Sequence, residues 1–189
     1  MNTVIRNKTK YDILYDTVKV ANKRWKKDKD WRMTYSMLFY ALVGNAGKVN
    51  TGYVSLAASS LKSPTPDHFF SPRAVFRAIM DQFPELLKDK ERLFEIVDFC
   101  RMTVGVTSEE NNKVRYSPEK DDEGSKGYPI ITVRTIDKYD DFGWTQKGVG
   151  LLQERKGRKL VNSPFPLKHL IPDWLTAYEE KCMKLHGYL

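Results

Sequence analysis

Apolar residues recur at helical spacing through the first part of the chain. In 9–27, "TKYDILYDTVKVANKRWKK", Ile13, Leu14, Val18, Ala21 and Trp25 succeed one another at three- and four-residue steps, which predicts an amphipathic helix with those side chains inward. Residues 31–44 are apolar on most sides and predict a second, largely buried helix that stops near Gly44-Asn45, with "NAGKVNTG" as a loop. "YVSLAASSL" at 53–61 fits a short strand or a helix, and the prolines of "KSPTPDHFF" break any regular element there. Ser71 and Pro72 then open a helix with Val75, Phe76 and Ile79 inward, and Arg73 and Arg77 four apart on the other side. A further helix over 88–101 buries Leu93, Ile96, Val97 and Cys100.

"MTVGV" at 102–106 reads as a strand, and in "TSEENNKVR" Thr107 and Glu110 form a capping box. Residues 117–128 are a polar, acidic loop. "YPIITVRTI" at 128–136 is rich in β-branched residues and predicts a strand, with a turn after it. Residues 149–163 form a β-hairpin with Arg155-Lys156-Gly157-Arg158 at its tip, and the chain ends in a helix closed by Gly187. The order implies an α+β fold: a helical N-terminal two-thirds, a small antiparallel sheet or hairpin toward the C-terminus, and a terminal helix. Residues 1–45 are expected to be a basic N-terminal helical segment and 46–189 an α+β DNA-binding domain, or the two to be one continuous domain.

Composition narrows the function. The chain has 189 residues, 41% of them hydrophobic and 12% aromatic, enough to bury a core without disulfides. Cys100 and Cys182 lack metal-ligand spacing and are read as core residues of a reduced, cytoplasmic protein. No apolar run is long enough to span a bilayer, and no secretory signal is seen. The formal net charge of +8 favours a polyanion, nucleic acid before an anionic membrane surface.

The cations cluster. Residues 1–30 carry nine Lys and Arg against four Asp, and the outer face of the first helix bears Lys19, Lys23, Arg24, Lys26 and Lys27. Lys147, Arg155, Lys156, Arg158 and Lys159 fall within thirteen residues around the hairpin tip, with Glu154 as the opposing charge. Such groups can clamp phosphates, while Arg73 and Arg77 can bond guanine edges or a phosphate. The plainer alternatives are a solvated helix face, an edge-protecting hairpin and a solvent-facing arginine stripe. Asp67-His68 is a candidate metal-ligand and general-base pair, with Asn111 or Asn112 as a later orienting group. A third ligand cannot be named, and an ordinary hydrogen-bonded turn is the usual explanation of such a pair.

Three stretches, "TPDHFFSPRAVFRAIM", "MTVGVTSEENNKVR" and "FGWTQKGVGLLQERKGRKLV", together resemble small phage-encoded homing endonucleases, including a phage-satellite transcriptional repressor domesticated from such an enzyme. The resemblance covers roughly residues 50–165. It implies binding to a specific duplex site. An active enzyme would cut DNA with Mg²⁺ held near Asp67 and His68, whereas the repressor would need no cofactor. The incomplete metal cluster favours the repressor-like member over the endonuclease. A basic protein-interaction module is the reading from a third class, and a homodimer is compatible with all three.

Overall fold

The computed structural model describes residues 6–55, 57–113, 131, 134–137, 153–154, 159–160 and 168–189. The chain is α+β. Its helices are α1 (Lys8–Arg24), α2 (Arg32–Ala46), α3 (Pro72–Gln82), α4 (Lys90–Arg101), α5 (Ser108–Lys113) and α6 (Asp173–His186). Its strands are β1 (Val49–Val54), β2 (Thr65–His68), β3 (Met102–Val106), β4 (Gln153–Glu154) and β5 (Lys159–Leu160), in the order β2-β3-β1-β4-β5. The chain divides into two compact units, one of residues 1–49 and 68–102, the other of 50–67 and 103–189. Helices α1 and α2 lie in the first unit together with α3 and α4.

The first unit is helical. Asn7 starts α1 by accepting a hydrogen bond from the Lys10 amide at 3.1 Å. Tyr11, Leu14, Val18, Ala21 and Trp25 then form its buried stripe. Ile13, expected inward, is 52% exposed, because it lies about 100° off that stripe. Trp25 packs edge-on to Phe76 of α3 at 5.5 Å, and Phe39 of α2 stacks on the same ring at 4.9 Å. The Trp25 indole N–H donates to Asp81 at 2.5 Å, which satisfies its buried polar end. In α2 the expectation of burial on most sides is corrected. Ser36, Phe39, Val43 and Ala46 are buried, whereas Met37 and Leu38 are 46% and 42% exposed. The helix also runs past Gly44 to Ala46, and strand β1 occupies part of the expected loop.

A polar cluster is buried within this unit. The Asp98 carboxylate accepts from the Tyr11 hydroxyl, from Arg6 Nε at 2.8 Å and from Arg101 Nη1 at 3.4 Å. Arg101 also donates to the Tyr11 oxygen at 2.6 Å and to the Gly47 carbonyl at 2.5 Å. Gly47 comes directly after α2 with φ of 98°, a conformation that glycine adopts without strain. Burial, and then the bond to Asp98, push the Tyr11 hydroxyl pKa up to about 12.

The second unit holds the sheet, apart from the terminal residues Val49, His68 and Met102. Strand β2 corrects the expectation that prolines exclude regular structure at 65–68. Pro66 is accommodated because β2 lies at the sheet edge, where one side of the strand has no ladder to complete. Strand β3 matches its expected range. The capping box is present: the Glu110 amide donates to Thr107 Oγ1 at 3.1 Å, and the Thr107 amide to Glu110 Oε2 at 2.8 Å. Strands β4 and β5 pair antiparallel, with Gln153 opposite Leu160 and Glu154 opposite Lys159, as the hairpin expectation requires. Strand β4 also pairs antiparallel with β1, Tyr53 opposite Glu154.

The expected strand over 128–136 is corrected where it is described: residues 135–137 form a turn. The buried Glu179 carboxylate of α6 accepts from the Thr135 amide at 2.8 Å and from its hydroxyl at 2.6 Å. Arg134 bonds Asp137 three residues on, and also Glu180 at 2.7 Å. These bonds override the β-propensity of the segment. The loop at 117–128 lies outside the described residues. Gly187 ends α6 in the left-handed conformation expected of it.

Stability should respond to pH and to substitution accordingly. A tyrosine whose folded pKa is raised contributes stability that is complete below pH 10 and is lost as pH rises toward 12. Tyr11→Phe is expected to cost about 1–3 kcal/mol at neutral pH through the unmet bond to Asp98. It should also remove about 1.4 kcal/mol per pH unit of the alkaline decline, read from denaturant titrations between pH 8 and 12. In β3, a Cβ on Gly105 would stand 2.8 Å from Val54 Cγ1 and 2.9 Å from Pro64 Cβ. Gly105→Ala should therefore lower stability by about 1–3 kcal/mol, a fall visible in the thermal midpoint.

Candidate nucleic-acid interface

The outward side of α1 is built from residues at four-residue steps. Tyr15, Lys19 and Lys23 succeed one another along it, with Asn22 alongside. The 3-10 turn Pro84–Leu87, between α3 and α4, packs on α1 and brings Lys88 to the same place. Between them lies an open groove of about 550 Å³, lined by Lys19, Lys23 and Lys88, with Glu85 as the one carboxylate among the described residues that line it. Lys26 and Lys27 come next in the turn after α1, both exposed. Arg24 is drawn back to Asp28 at 4.0 Å.

The Tyr15 ring organises the rim. Lys19 Nζ lies 5.1 Å from its centroid and Lys90 Nζ 5.4 Å. Lys90 is also paired with Asp12 at 2.7 Å, and that hydrogen bond holds its ammonium pKa above the ordinary value. Lys90 is thus neutralised in place, while Lys19, Lys23 and Lys88 face the groove. Lysines are point charges on flexible stems. They suit phosphate oxygens and carry little information about base identity.

The other expected site residues lie elsewhere. Arg77 is 1% exposed, which corrects the expectation of an outward arginine pair. Helix α3 packs on both α2 and α4 and buries eight of its eleven residues, so position 77 has no solvent side. Arg73 is half-buried and its Nη2 lies 3.0 Å from Met33 Sδ. Burial and the neighbouring Arg77 guanidinium lower the Arg73 pKa. Ser71 occupies the expected cap position with no side-chain cap bond.

Asp67 and His68 close strand β2, both half-buried. His68 Nδ1 lies 2.8 Å from the Cys100 carbonyl oxygen, which can only accept, so Nδ1 carries the proton. The His68 ring also meets Tyr40 edge-on at 5.7 Å. Asn111 and Asn112 lie on α5. Among the described residues no three of His, Cys, Asp and Glu are grouped to hold a metal ion. Lys147, Arg155, Lys156 and Arg158 lie outside the described residues. Lys159 is described only as a backbone position in β5. Cys100 and Cys182 are fully buried, and burial raises the Cys100 thiol pKa.

Of the expected DNA contacts, then, Lys23 lines the groove and Lys26 and Lys27 come just after it in sequence. Lys88 is not signalled by the sequence, since nothing in the chain before α4 indicates that the Pro84–Leu87 turn returns to α1. The Tyr15-Lys19-Lys23 spacing is the local signal for the ring that carries Lys19. No family model, curated protein or solved structure matches the chain.

Proposed function

We propose that the chain binds double-stranded DNA at a specific site and represses transcription by occupying it. The observation that carries the binding is the groove on α1, where Lys19, Lys23 and Lys88 converge in a chain of net charge +8. Three ammonium groups around one open groove match the charge of successive phosphates, and binding there releases counterions. Lysines supply affinity; Arg155 and Arg158, between β4 and β5 in sequence, are the residue type suited to base edges. The repressor role rests on the resemblance to a domesticated endonuclease, because occupancy of a promoter needs no bond-breaking chemistry.

The test is gel retardation of DNA fragments selected by the purified protein, across a salt series with Mg²⁺ present. A shift of intact DNA is expected, with one enriched motif among the selected fragments. Lys19→Ala/Lys23→Ala/Lys88→Ala should reduce the slope of log affinity against log salt by about 2–3, at about 0.9 for each phosphate no longer neutralised. Failure to retard any DNA at low salt sinks the proposal. Cleavage of the DNA would replace the repressor by an endonuclease.

A further inference from the structure

Helix α2 is the helix of the first unit whose outward side carries no charge. Residues 33–47 contain no Lys, Arg, Asp, Glu or His, although at 30% charged residues a stretch of fifteen would hold four or five. Successive helical residues are about 100° apart, so Thr34, Met37, Leu38, Tyr40, Ala41 and Gly44 share one side. All six are exposed. Phe39 and Val43, on the other side, are buried. The small residues Ala41 and Gly44 sit between the larger Leu38 and Tyr40, and no atom lies within 4 Å of where a Gly44 Cβ would stand.

Charge selects what can cover this face. DNA phosphates and charged protein surfaces find no ionic partner on it. Two copies of a chain with net charge +8 repel one another wherever their cations meet, and a seam free of charge is where they can approach. A second copy also presents the same uncharged face, as a two-fold contact requires. We propose that α2 is the seam of a homodimer, in which Met37, Leu38, Ala41 and Gly44 pack against the same face of a second copy. One helix side per copy belongs to the small class of interfaces, below about 1,200 Å² in total, so the dimer is weak and depends on protein concentration.

The test uses the full chain without DNA, so its outcome is separate from that of the DNA-binding proposal. Light scattering from about 1 to about 100 µM should show the mass rising from 22.0 kDa toward twice that value. Leu38→Glu/Ala41→Glu places carboxylates on exposed positions and should hold the mass at 22.0 kDa with an unchanged far-ultraviolet CD spectrum. A wild-type chain that stays monomeric throughout the range overturns the proposal, and so does a folded double variant that still dimerises. Should that variant fail to fold, Ala41→Cys with a short bismaleimide gives a second measurement, since Cys100 and Cys182 are buried and leave the new thiol as the reactive one. A crosslinked dimer is expected. A new thiol that is alkylated without crosslinking, or shielded from the reagent in a monomeric chain, overturns the proposal.

Discussion

A carboxylate shut away from water must be met by donors, and Asp98 makes this demand at the centre of the helical unit. Its oxygens take the Tyr11 hydroxyl from α1, Arg6 from the residue before the Asn7 cap, and Arg101 from its own helix. Arg101 in turn reaches the Gly47 carbonyl at the end of α2. One acid therefore fixes the start of α1, the end of α2 and the body of α4 relative to one another. The consequence for the surface is direct. With Tyr11 held inward, Tyr15, Lys19 and Lys23 on the same helix are carried to the side where Pro84–Leu87 brings Lys88.

The helices are legible in the sequence because their stripes are periodic. Leu14, Val18, Ala21 and Trp25 on α1, and Leu93, Ile96, Val97 and Cys100 on α4, are buried as their spacing requires. Caps are legible where the side chain bonds locally, as Thr107 and Glu110 do. The features that escape the pattern depend on tertiary structure. The β-branched run ending at Ile136 is diverted at Thr135 by Glu179, forty-four residues away in the chain. Pro66 sits in a strand because that strand is at an edge, and edge position is a property of the whole sheet.

The candidate site is half legible for the same reason. A run of lysines on one helix face is local, and Lys19 and Lys23 lie on α1 as the pattern expects, whereas Lys26 and Lys27 fall in the turn after it, because α1 ends at Arg24. Lys88 joins them through a turn whose path the pattern does not encode. The arginine pair of α3 shows the opposite error. Charge at steps of four normally marks the solvent side of a helix, but α3 is packed on two sides and Arg77 is enclosed. Long side chains with apolar stems can be buried along their length, so charge alone is a weaker sign of exposure for arginine than for aspartate.

The two N-terminal helices differ in how they treat water, and the difference bears on function. Helix α1 buries one stripe and solvates the rest with lysines, which is the ordinary economy of a surface helix. Helix α2 buries a similar stripe and leaves Met37, Leu38 and Ala41 in contact with solvent. Conformational stability gives no reason for this, since polar residues at those positions would serve a monomer as well or better. The lysine-rich side of α1 and the uncharged side of α2 differ in what they can attract: a polyanion has electrostatic reason to settle on the first and none on the second. Under the proposed function, a protein that occupied duplex DNA would gain affinity by doubling its contacts, and the proposed seam, free of cations, would let two such chains approach without setting their charges against each other.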